Sequence, residues 1–294
     1  MDFIRQLING LQIGSIYALV ALGYTMVYGI VKLINFAHGD VIMVGAYFSL
    51  MVLPLLSAAG LPLWICIIIS AVLCAATGAI IEAVAYRPLR EASRLSALIT
   101  AIGVSLFLQN LFMLIYTPNP RPYPKIFDFE NISFLGFEIS FTVLLTIVVS
   151  VILMVLLSIF IKHTKIGKAM RAVSEDTGAA KLMGINVNLT ISATFIIGSA
   201  LAAVGSVFYA SSYPQINPYM GSMLGLKAFI AAVMGGIGII PGAMLGGVLM
   251  GVAESLTKAY ISSQLADAVV FGILIVVLLV KPSGIFGVNM REKV

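Results

Sequence analysis

The chain has 294 residues, 61% of them hydrophobic and 10% charged, and a formal net charge of +5; its mean hydropathy is +1.09. A soluble domain carries roughly 25% charged residues, which excludes a water-soluble enzyme. The positive excess lies in short loops, as membrane orientation requires, and so calls for no nucleic-acid partner. The expectation is an all-α polytopic membrane protein forming one transmembrane domain over 1–294, in contact with lipid.

Apolar segments are predicted at 8–31, 41–59, 61–84, 96–116, 138–161, 188–211, 223–238, 241–257 and 265–280. The residues before the first are too few and too mixed for a cleaved signal peptide, so that segment is read as retained. The first break follows it, at Asn35, His38 and Asp40. Two readings stand here. One is a polar turn at the cytoplasmic membrane edge, with Asp40 at the favourable end of the next helix dipole. The other is a gate or pore lining at a discontinuous helix. The segment 61–84 holds both cysteines, Cys66 and Cys74. Eight residues apart on one helix they stand roughly 12 Å apart and cannot pair. Glu82 lies within reach of Arg87 in the basic loop 85–95. Gln109 and Asn110 fall inside the apolar run 96–116, as amide bonds between helices or as contacts of a substrate path. The loop 117–137 is proline-rich with balanced charges and suits the outer face, whereas 138–161 has no glycine and suits lipid.

The island 162–187 is the largest basic polar stretch, with Lys162, Lys165, Lys168, Arg171 and Lys181 against Glu175 and Asp176. It contains a short helix-prone piece from Gly178 to Gly184 and predicts a cytoplasmic helix around 174–187. With the loop at 85–95, Lys32 and the C-terminal Lys281, Arg291 and Lys293, one face holds twelve of the seventeen lysines and arginines. That face is assigned as cytoplasmic. Island and C-terminus then need an even number of crossings between them, so 223–257 must be a broken hairpin. Gly238, Pro241 and Gly242 form its breaker. A similar break in the first half suggests two broken-helix hairpins and a parallel internal repeat. Nine glycines between 221 and 251 point to close helix crossings. Lys227 and Asp267 read as isolated snorkelling residues at the outer edge, and Glu254 with Lys258 as an outer-edge pair four residues apart.

No GxxxxGK[ST] loop, HExxH or CxxC occurs, so no catalytic residue, metal site or cofactor is assigned. Four pieces, Ile34-Asn35-Phe36-Ala37-His38-Gly39-Asp40, Ile216-Asn217-Pro218-Tyr219, Gly235 through Ala243, and Lys281-Pro282-Ser283-Gly284-Ile285, carry a family likeness. Over nearly its whole length the chain resembles a permease subunit of a bacterial branched-chain amino-acid ABC transporter. The resemblance implies a multi-pass protein of the cytoplasmic membrane that translocates leucine, isoleucine and valine. Its implied partners are a second related permease, two cytoplasmic ABC ATPases that bind the ATP, and an extracytoplasmic solute-binding protein. It also implies a coupling segment, in many importers Glu-Ala-Ala followed by a glycine. Here Ala179, Ala180 and Gly184 match, the glutamate position is Gly178, and Glu175 and Asp176 are the nearest acids. The competing readings are an ion-coupled secondary transporter, which would need ionisable groups near the midplane, and an ABC permease for urea or short amides.

Overall fold

The computed structural model describes residues 2–287 apart from 33, 34, 91, 128, 130, 131, 135 and 136. Ile34, Arg291 and Lys293 lie outside the described residues. In chain order the helices are α1 (Asp2–Val31), α2 (Ala37–Ala58), α3 (Ile65–Ile81), α4 (Arg94–Tyr116), α5 (Phe141–His163), α6 (Lys165–Glu175), α7 (Thr177–Leu182), α8 (Val187–Ser212), α9 (Met220–Gly235), α10 (Ile240–Tyr260) and α11 (Ala266–Val280). A single π turn, Glu82–Tyr86, and a 3-10 turn, Arg87–Leu89, extend α3. Among the described residues seven helices are long and apolar enough to cross a membrane. The polytopic helical expectation therefore holds. It missed four short strands: β1 (Arg121–Pro122), β2 (Ile132–Phe134), β3 (Phe137–Ile139) and β4 (Gln215–Ile216), paired β1 with β4 and β2 with β3.

Helices α1, α2, α8, α9 and α10 build the core, and one continuous cluster of buried side chains runs through them. Small residues set the distances. Gly14 and Gly251 place α1 directly on α10, where a side-chain carbon would strike backbone. Gly235 and Gly242 do the same between α9 and α10, which fold back on each other around residues 236–239. Helix α5 is the opposite case. It buries Thr146, Ser150, Met154 and Leu157 as one stripe and turns most of its bulky aliphatic residues outward. The cysteines are both free and buried on α3.

The two ends of the bundle are tied differently. At one end β1 pairs with β4, and the Tyr123 amide donates to the Pro214 carbonyl at 3.0 Å. The Tyr123 hydroxyl lies 2.6 Å from Ser49 Oγ on α2. Burial pushes this phenol above its ordinary value, so it stays neutral. At the other, basic end, Glu82 is fully buried between Arg87 and Arg90 and accepts from Ser192 on α8 at 2.6 Å. Arg90 also bonds Asn188. The anticipated Glu82–Arg87 pair thus forms, at 3.0 Å, as part of a larger clamp.

Candidate functional site

The first break lies inside the helix bundle. His38 belongs to α2 rather than to a turn, and its ring packs against Gly23 of α1. Gly23 stands eight residues before the end of α1 at Val31, about 12 Å along the axis. Helix α2 therefore begins deep in the bundle. Its first turn can lie there because Gly221 and Gly225 of α9 leave room for Gly39; a side chain at any of the three would meet opposing backbone. That crossing brings Asp40 against α9.

Asp40 is 1% exposed. Gln109 of α4 donates to its Oδ1 at 2.8 Å and to Ser222 Oγ of α9 at 3.0 Å. One amide thus joins α2, α4 and α9. The cluster borders a cavity of about 290 Å³ whose lining includes Tyr24, Phe36, Ser105, Leu226 and Phe229. Aromatic and aliphatic walls with a few convergent polar groups are what a small-molecule site requires. Of the residues anticipated for a path or gate, the structure brings Asp40 and Gln109 together. It sends the others elsewhere. Asn35 accepts a 2.8 Å bond from the Tyr86 hydroxyl. His38 lies edge-on to Tyr24 at 4.7 Å, with Nε2 buried and unbonded. Asn110 is exposed and donates to Leu106 of its own helix. Gly238 lies in the α9–α10 turn, near Gly29 and with φ at +91°, whereas Pro241 and Gly242, read as part of the breaker, already belong to the first turn of α10.

A second polar cluster was not foreseen. Lys227, expected to snorkel alone, is buried and donates to Glu254 at 2.9 Å; it also lies 2.7 Å from Asp267. Tyr17 of α1 and Lys258 each donate to Glu254 at 2.6 Å. The anticipated Glu254–Lys258 pair forms, with Glu254 buried and Lys258 40% exposed near the end of α10. The sequence hides this network because Lys227 and Glu254 meet only when α9 and α10 fold together. With two cations and two anions it is internally balanced.

The polar island also differs from expectation. The helix anticipated around 174–187 is two helices: α6 ends at Glu175, and Asp176 caps α7 by accepting from the Gly178 and Ala179 amides at 2.7 and 3.0 Å. Asp176 is therefore occupied within its own loop. Ala180 is buried in this chain, while Ala179 and Gly184 are exposed, Gly184 with φ at +79°. The large apolar side chains that project furthest are Leu182 and Met183, 90% and 82% exposed. Two such residues inside the most polar stretch were the missed signal. Beside α7 a cavity of about 510 Å³ is lined by residues including Arg87, Arg90, Thr177, Lys181 and Asn188.

Residues 6–279 match the family described as branched-chain amino acid transport system / permease component. The chain belongs to this permease family. It is 47% identical over 301 residues to the high-affinity branched-chain amino acid transport system permease protein LivH of Salmonella typhimurium, covering 99% of this chain and 98% of that protein. To the permease protein BraD of Pseudomonas aeruginosa it is 48% identical, with the same coverage. A probable LivH of Methanocaldococcus jannaschii is 28% identical across 95% of this chain and 90% of that protein. The permease is a multi-pass protein of the cytoplasmic membrane, a transport component in a family of transport components.

Proposed function

We propose that this permease is one transmembrane half of an ATP-driven importer of leucine, isoleucine and valine. The whole length acts as a single membrane domain without a cofactor of its own. A second related permease completes the pathway, two cytoplasmic ABC ATPases hydrolyse the ATP, and an extracytoplasmic solute-binding protein delivers the amino acid at the β1–β4 end. What most supports the ATPase partnership is the tip of the polar island, where Leu182 and Met183 stand almost fully out of a short, capped helix. Apolar side chains held in water on a rigid support are suited to a cleft in another protein. Helix α7 follows α6 directly and leads into α8, so a push on it reaches the core helices that α8 contacts. The residues meeting the ATPase are accordingly Glu175, Ala179, Leu182, Met183 and Gly184, with Asp176 and Ala180 holding the helix in shape.

The test is Leu182→Glu with Met183→Glu in the assembled transporter. The permease should fold and insert normally, because both side chains are exposed. Co-purification of the ATPases, leucine uptake and substrate-stimulated ATP hydrolysis should all fall. Normal uptake at normal expression would defeat the docking role of this loop.

A further inference from the structure

Three carboxylates are buried within the long spans among the described residues: Glu82, Glu254 and Asp40. Glu82 has Arg87 and Arg90, and Glu254 has Lys227 and Lys258. No lysine, arginine or histidine among the described residues forms an ion pair with Asp40. Removing a carboxylate from water is costly even after relaxation, and the dipole of α2 with the polar contacts of Gln109 and Ser105 answers only part of that cost. Asp40 is thus a buried carboxyl group with no cation from the described residues beside it, and it lies on the edge of the 290 Å³ cavity.

We propose that this cavity holds the amino acid in transit, with its α-ammonium on the Asp40 carboxylate. The inference rests on the import function above and assigns the place where the substrate is read. The substrate supplies the missing cation. Its own carboxylate is placed to accept from the Ser222 hydroxyl, which also lines the cavity. Ser222 accepts from Gln109 and keeps its own hydrogen free to donate as well. The aliphatic side chain then lies against Phe36, Leu226 and Phe229. The volume stands near the lower end for small-molecule sites, about 300 Å³. No cation lines the cavity for an acidic side chain, and the single carboxylate is already engaged, so a basic side chain gains nothing. Urea or a short amide, being neutral, would leave Asp40 uncompensated.

The test uses the assembled transporter, with its ATPases, partner permease and binding protein, in proteoliposomes, and radiolabelled L-leucine and L-valine as probes. Asp40→Asn should lower leucine uptake per transporter at saturating loaded binding protein by about tenfold or more, the weight of a charge-assisted contact. The thermal midpoint should stay as in the parent. Leu226→Trp changes a side chain at the exposed rim, so folding is spared, and the indole shortens the cavity. Leucine uptake should then fall several-fold more than valine uptake. Uptake by Asp40→Asn within twofold of the parent would overturn the site, as would an equal loss of both amino acids in Leu226→Trp. If collapsing the ion gradient abolishes parent uptake while ATP is present, Asp40 serves a coupling ion and the proposal fails. A parent transporter that takes up neither amino acid would overturn the import function itself, a result distinct from the loss of this site alone.

Discussion

Glu254 and Asp40 are both buried carboxylates on helices of the same core, and they are served in opposite ways. Glu254 receives two ammonium groups and a tyrosine hydroxyl from its own chain. Asp40 receives one amide. A charge fully answered from within is a fastener, and its removal should be felt as instability. A charge left partly unanswered beside a cavity is an offer to something from outside, and its removal should be felt as lost transport. The two clusters therefore predict opposite readouts for superficially similar substitutions.

The sharpest way to break that contrast is Lys227→Met. It takes one of two ammonium partners from the buried Glu254 and leaves the part-exposed Asp267 without its partner, a loss at the lower end of the about 3–5 kcal/mol that breaking a buried pair costs. The thermal midpoint in detergent should fall steeply, whereas Asp40→Asn should leave it unchanged. Equal destabilisation by both would erase the distinction. Gly242→Leu comes next. Its side chain must enter the place held by Gly235 backbone, and overpacking of that kind costs about 1–3 kcal/mol. Leu249→Ala, at an exposed position on the same helix, should be near neutral in the same assay. Glu82→Gln should have a smaller effect, about 1–2 kcal/mol, since Arg87 is half exposed and water can take over part of its charge. Lys162→Glu, on the exposed side of the island, should shift the midpoint by no more than measurement error.

The helices were legible because the bilayer imposes a length and an apolar composition on each of them, and the glycine-rich run before Pro241 marked a break, although Pro241 and Gly242 themselves fall in the first turn of α10. The depth of the first break was not legible. Asn35, His38 and Asp40 look like an edge turn because polar residues after an apolar run are the usual sign of water. Only the contact of His38 with Gly23 reveals that they are inside. The Asp40–Gln109 contact joins residues 69 apart, and Lys227–Glu254 residues 27 apart. No local periodicity encodes either pairing. At the island the family resemblance directed attention to the small residues Ala180 and Gly184. Leu182 and Met183 needed only the observation that apolar side chains are out of place there.

The network around Glu254 also sets the order in which the chain can be made. Lys227 is synthesised 27 residues before Glu254 and 40 before Asp267. A lysine at the centre of a lone helix is penalised by about 2.5–3.5 kcal/mol at insertion, and α9, at 16 residues, spans about 24 Å, less than the roughly 30 Å hydrocarbon core. It is poorly suited to leave the translocon by itself. Release of α9 into lipid has to wait for α10 and α11, so the last three apolar helices enter the membrane as one unit, and ribosome-bound chains ending between 240 and 265 should hold α9 in an environment still open to water.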